Sequence, residues 1–123
     1  MQGYLFCDDL MWLSRVMAEA RESGCKIIPA RNLEQLQKAV STHGIHTVIV
    51  DLSQVEVSAD VEGTLNVMKS LGLNRFVAYG SHIETAELAA ARNAGCHPTL
   101  ARSKMAVELG QLLPAWLSPA SSL

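Results

Sequence analysis

Apolar and polar positions change their period repeatedly along this chain. Residues 4–7, "YLFC", form a continuous apolar run that stops on two acids, Asp8 and Asp9. A helical spacing follows, with Leu10, Leu13, Val16, Met17 and Ala20 recurring on one face and Gly24 standing where a C-cap belongs. This predicts a first strand and a first helix. "CKIIPA" is a second short apolar piece, and Pro29 within it predicts an edge strand or a strand end, because proline cannot donate to a ladder. "NLEQLQKAVSTHG" is a second helix, capped by Asn32, with Leu33, Leu36 and Val40 on one face. In "HTVIVDLS" the run Val48, Ile49, Val50 is the β-branched signal of a strand covered on both faces, and it too ends on an acid, Asp51.

The second half repeats the alternation. "QVEVSADVEG" reads as a polar loop, "TLNVMKSLG" as a helix, "RFVAYGS" as a strand and "ETAELAAARNAG" as an alanine-rich helix. "HPTLA" then reads as a short strand and "SKMAVELGQLLPAWL" as a last helix stopped by Pro114, before the polar tail "SPASSL". Five strand-helix alternations predict a single-domain, doubly wound α/β fold over residues 1–117, with a C-terminal tail at 118–123. The sheet is expected to be parallel and five-stranded, with helices on both faces, since each crossover packs a helix back on the sheet.

Composition narrows the classes of function. A chain of 123 residues, 49% hydrophobic, suits one domain with a real core. A net charge of −2 and a pI near 6.0 exclude recruitment of nucleic acid by bulk charge. Cys7, Cys25 and Cys96 lack metal-ligand or disulfide spacing, and an odd count without a secretory leader predicts a reducing, cytoplasmic setting. No apolar run reaches the about eighteen residues of a membrane span. His43, His46, His82 and His97 also lack ligand spacing and read as surface residues, while Trp12 and Trp116 read as packing or partner contacts.

The strand ends carry the candidate chemistry. In an open parallel sheet, ligands collect beyond the carboxyl ends of the strands where strand order reverses, and for the order 2-1-3-4-5 that crevice lies between strands one and three. Asp8 and Asp9 end strand one and Asp51 ends strand three. Three carboxylates brought into one pocket call for a cation, and Mg2+ fits best as a hard ion that takes one or two carboxylates and keeps waters for phosphate oxygens.

Through the acid pair in "FCDD", the acid in "VIVDLS", the strand "RFVAYGS", the "AAARNAG" before the last strand and the final helix, the chain resembles a receiver domain of the two-component response-regulator family. The resemblance spans nearly the whole length and implies a flavodoxin-like, CheY-like three-layer sandwich. It further implies that Asp8 and Asp9 bind magnesium, with Asp51 completing the metal site and acting as phosphoacceptor. Asp51 would attack a phosphoryl group brought by a histidine kinase or phosphotransfer protein, at most catalysing its own phosphorylation and dephosphorylation. A downstream protein partner and a homodimer are further expectations.

Departures from the family pattern are equally legible. Where the family places a Ser or Thr at the end of strand four, this chain has Gly80, with Ser81 one residue on. In place of its Lys-Pro pair stand Arg102 and Ser103, with Lys104 two residues beyond Arg102. Arginine keeps the charge but not the compact head of an ammonium. The usual proline after the acceptor is replaced by Val55. Simpler roles stand beside these: Asp8 or Asp9 as a helix N-cap, Asp51 as a turn residue, and Arg102 and Lys104 as solvated charges on a helix that Ser103 caps. The alternative function is a pseudo-receiver that takes no phosphate and serves as a protein-interaction module. "VEGTLNVMKSLGLNRFVAYGS" also looks similar to the middle of extended short-chain dehydrogenases. The chain has neither GxGxxG after its first strand nor a Tyr followed four residues later by Lys, so that reading lacks both of its sites.

Overall fold

The computed structural model describes residues 1–81 and 86–118. The elements run β1 (Gln2–Phe6), α1 (Leu10–Glu22), β2 (Lys26–Ala30), α2 (Leu33–His43), β3 (Thr47–Asp51), α3 (Val55–Ala59), α4 (Val61–Ser70), β4 (Arg75–Gly80), α5 (Ala86–Asn93), β5 (Thr99–Ala101) and α6 (Arg102–Leu117). All strand pairings are parallel, in the order β2-β1-β3-β4-β5, which is the doubly wound architecture that the alternation predicts. β2 lies at an edge, so Pro29 leaves no ladder bond unmade on its outer side.

Strand alternation divides the core in two. Tyr4 and Phe6 of β1, Val48 and Val50 of β3, and Phe76 and Ala78 of β4 face one layer, where Leu36, Leu65, Met68 and Leu88 cover them. Leu5 and Cys7, Ile49, and Val77 and Tyr79 face the other, under Leu13, Val16, Met105, Leu109 and Leu113 of α1 and α6. Both faces are buried, which is why the central strands read as unbroken apolar runs.

The structure corrects the sequence in two places. The stretch expected as a polar loop contains a helix, α3, and α4 begins at Val61 rather than near Thr64. The polar residues responsible are caps: Gln54 Oε1 accepts from the N–H groups of Glu56 (2.8 Å) and Val57 (2.9 Å), and Asp60 Oδ1 accepts from Gly63 N–H at 2.9 Å. Gln54 is fully buried, and its amide also donates to Arg31 O at 3.1 Å. Pro114 does not stop the last helix, which continues to Leu117 and leaves helical geometry instead at Glu108 (φ −110°, ψ 16°). A proline frees the carbonyl four residues earlier, and that carbonyl, Gly110 O, accepts from the Oγ of Ser23, the C-cap of α1, at 3.3 Å. The start of the alanine-rich helix, Glu84 and Thr85, lies outside the described residues, as does His82.

At the amino ends of the strands, basic side chains take up carbonyls at helix C-termini. His46 Nδ1 donates to Gly72 O after α4 (3.0 Å), Lys69 Nζ to Ala94 O after α5 (2.7 Å), and Arg75 to Ala115 O (3.1 Å) and Ser118 O (3.0 Å) at the end of α6. These three side chains therefore serve the helix termini. The opposite, carboxyl end of the sheet carries the acids.

Candidate functional site at the carboxyl ends of the central strands

The register determines which side chains meet. Phe6 pairs with Val50, so the next residues, Cys7 and Asp51, stand level on neighbouring strands, and Asp51 in turn pairs with Tyr79. Alternation turns Cys7 and Tyr79 toward the α1/α6 layer, with Asp51 following Ile49 by two. The residue opposite Asp51 is thus a thiol, and the acid pair begins one position too late to face it.

Asp51 is only 3% exposed, and both of its oxygens have partners. Oδ2 accepts from the Cys7 thiol at 3.2 Å and Oδ1 from Ser53 N–H at 2.8 Å. Burial, with an added contribution from Asp51, pushes the Cys7 thiol up to about 12, so the sulfur holds its proton and donates it. Asp9 N–H donates to the same sulfur at 3.4 Å. Ser53 Oγ lies 3.2 Å from Ser81 Oγ, so Ser81 reaches Asp51 only through Ser53. Tyr79 and Trp12 pack with ring centroids 5.9 Å apart, and both the hydroxyl and the indole N–H are buried; neither closes a hydrogen bond within bonding distance, but the hydroxyl stands close enough to the Trp12 N–H and the Cys7 thiol to interact with both. Burial, then the charge of Asp51, raises the Tyr79 hydroxyl well above its usual range.

Asp9 does different work. It is the N-cap of α1, its Oδ1 accepting from Met11 N–H (3.1 Å) and Trp12 N–H (3.2 Å). Its Oδ2 accepts from Arg102 Nη2 at 3.0 Å, and the Arg102 guanidinium lies 4.4 Å over the Trp12 ring. The Trp12 N–H, followed by Arg102, holds the Asp9 carboxyl below its usual range. Asp8 is exposed, and its Oδ2 accepts from Val55 N–H at 3.3 Å, tying the β1–α1 loop to the start of α3. Lys104 and Ser103 are exposed, and α6 has no side-chain cap, so the capping role considered for Ser103 is not observed.

The structure therefore brings the predicted residues together in separate sets: Asp51 with Cys7 and Ser53, Ser53 with Ser81, Asp9 with Arg102, and Asp8 with Val55. Among the described residues, no three His, Cys, Asp or Glu side chains converge on a point that could hold a metal ion. Two of the three expected magnesium ligands already have partners within the protein. One expected ligand is engaged by a helix terminus and a guanidinium, and another by a thiol and a backbone N–H. Cys7, Ser53 and Gln54 escaped the sequence reading. For Cys7 the signal was available, since alternation from Leu5 and Ile49 puts it beside Asp51.

With five parallel strands in this order, six helices among the described residues and an acid buried at the end of β3, the chain has the fold of response-regulator receiver domains. A two-component response regulator from Clostridium difficile superposes with a TM-score of 0.79 at 14% identity, over 98% of each chain. A response regulator from Thermotoga maritima gives 0.76 at 12% identity, over 95% of this chain and 97% of its own. An atypical orphan response regulator, described as revealing a phosphorylation-independent regulatory mechanism, gives 0.71 at 12% identity over 95% of both chains. No protein-family model matches the chain, and no curated protein is similar to it in sequence. No helix among the described residues is long and apolar enough to cross a membrane.

Proposed function

We propose that this chain works as a pseudo-receiver: a signalling module of receiver fold that engages a protein partner without accepting phosphate on Asp51. One observation carries the reading. The Arg102 guanidinium sits on Asp9 while the Cys7 thiol sits on Asp51, so the charges a metal would neutralise are already balanced or hydrogen-bonded within the protein. A nucleophilic carboxylate needs an open face toward its phosphoryl donor, and Asp51 is buried with both oxygens engaged. Phosphoryl transfer to Asp51 with magnesium on Asp8 and Asp9 is the competing reading. It requires Arg102 to leave Asp9, and Cys7 to release Asp51, before any metal enters.

The test is the addition of magnesium and beryllofluoride, a mimic of phosphoaspartate, followed by amide chemical shifts around Asp51, Ser53 and Ser81. The proposal expects no saturable change, and the same spectrum in D51N with the two salts added. Saturable shifts that disappear in D51N would restore the phosphoacceptor reading.

A further inference from the structure

The end of the molecule opposite the acids holds a cleft of about 780 Å³, which nothing in the strand-end site uses. Its floor is apolar, made by Ile45, Phe76 and Leu117, and the amino ends of β1, β3 and β4 form its wall. Extending the strand register by one or two residues sets Gln2, His46 and Asn74 level on these three strands, below Tyr4, Val48 and Phe76. His97 joins the row from the far side of β4, where its backbone N–H donates to Phe76 O at 2.8 Å. All four side chains line the cleft. His46 is fixed by its Nδ1–H on Gly72 O, whereas the side chains of Gln2, Asn74 and His97 make no hydrogen bond within the protein. A volume in the range of small-molecule sites, an apolar floor and a few unpartnered polar groups converging on it are the features of a ligand site.

Charge selects the ligand. No described acid lines the cleft, Arg75 stands in its wall, and Lys69 Nζ lies beside Gly95 at its edge. Helix C-termini repel anions through open carbonyls, but here Gly72 O, Ala94 O, Ala115 O and Ser118 O are each already bonded by His46, Lys69 or Arg75. Arg75 and Lys69 are engaged in those bonds, so what they offer a ligand is charge, and the hydrogen bonds are left to the amides and the His97 ring. Neutral donors backed by cations at a short remove suit a single negative charge better than a phosphate dianion. We propose that this cleft binds a small organic carboxylate with a ring-sized apolar body. The ring lies on Ile45, Phe76 and Leu117, and the carboxylate accepts from Gln2, Asn74 and His97. This goes beyond the pseudo-receiver reading and does not depend on it, because the cleft and Asp51 lie at opposite ends of the strands.

The probe is naphthoate, titrated into the intact chain at millimolar concentration and followed by amide chemical shifts. Two controls separate its parts: naphthylmethylamine keeps the ring and reverses the charge, and acetate keeps the charge and lacks the ring. Naphthoate is expected to move the Gln2, His46, Asn74, Gly95 and His97 resonances saturably, while the amine and acetate leave them in place. N74A and H97A each remove one donor from an exposed position, and each should weaken naphthoate about five-fold, as for one hydrogen bond to a charged acceptor in a cleft open to water. Binding of the amine or of acetate as tight as that of naphthoate would overturn the proposal. So would the absence of saturable shifts, shifts confined to the Asp51 end, or an affinity unchanged in both variants. The beryllofluoride experiment reports on Asp51 alone, so a response there with naphthoate binding intact removes only the pseudo-receiver reading, and silence there without naphthoate binding removes only this inference.

Discussion

Replacement of Arg102 by alanine tests the contact that engages Asp9. The side chains of Arg102 and Asp9 are 36% and 41% exposed, so their 3.0 Å ion pair is screened by solvent and contributes only about 0.5 kcal/mol. The guanidinium 4.4 Å over Trp12 adds about 0.5–1 kcal/mol. R102A should therefore lose about 1–1.5 kcal/mol in urea denaturation followed by tryptophan fluorescence. D9A loses the same pair and the cap of α1, about 1.5 kcal/mol in all. The double variant should fall short of the sum of the single losses by about 0.5 kcal/mol, the coupling between the two residues. Titration of the Asp9 carboxyl gives an independent reading. A carboxyl held below its usual range stabilises the fold fully above that range and loses the contribution as pH falls through its folded value. In R102A most of the depression should persist, because the Trp12 N–H is its largest cause. A coupling indistinguishable from zero, or an Asp9 titration unmoved by R102A, would mean that the pair does not hold in solution and that Asp9 is free for a metal.

Four further outcomes follow from the same contacts. C7D puts a second carboxylate beside Asp51 where a neutral thiol now donates, and should cost about 3–5 kcal/mol without added cations; a stability gain from millimolar magnesium seen only in this variant would identify Cys7 as the residue that keeps metal out. Because the Cys7 thiol is buried and raised to about 12, it should resist alkylation at pH 8 until the chain unfolds, as followed by mass spectrometry. Q54A should lose about 1–3 kcal/mol by uncapping α3 and stranding the N–H groups of Glu56 and Val57, measured as a lower denaturation midpoint. Y79F deletes a buried hydroxyl that closes no hydrogen bond within bonding distance, so it should be neutral or stabilising by up to about 1 kcal/mol; a clear loss of stability would show that the hydroxyl is bonded to the Trp12 N–H or the Cys7 thiol in solution.

Much of this protein was decided locally. The β-branched run Val48 to Val50, the helical spacing from Leu10 to Ala20 and the proline in β2 each carry their element in a few neighbouring residues, because periodicity and ladder donors are short-range properties. Five such alternations leave few topologies, so sheet order was legible as well. The helix at Val55–Ala59 was not, since Gln54 is a loop residue by composition and is held as its buried cap by Arg31 O, 23 positions away. Past Pro114, likewise, the carbonyl freed in α6 finds its donor in Ser23, the C-cap of α1 and 87 positions away. The acids at the strand ends could be counted from the sequence, but which of them met was a matter of register. A one-residue offset between β1 and the acid pair sets a thiol against Asp51 and sends Asp9 to a helix terminus and an arginine 93 positions away. Side chains alternate across a sheet with a period of two, so a single position decides between a carboxylate that faces another carboxylate and one that faces a neutral donor, and that choice exists only once the strands are paired.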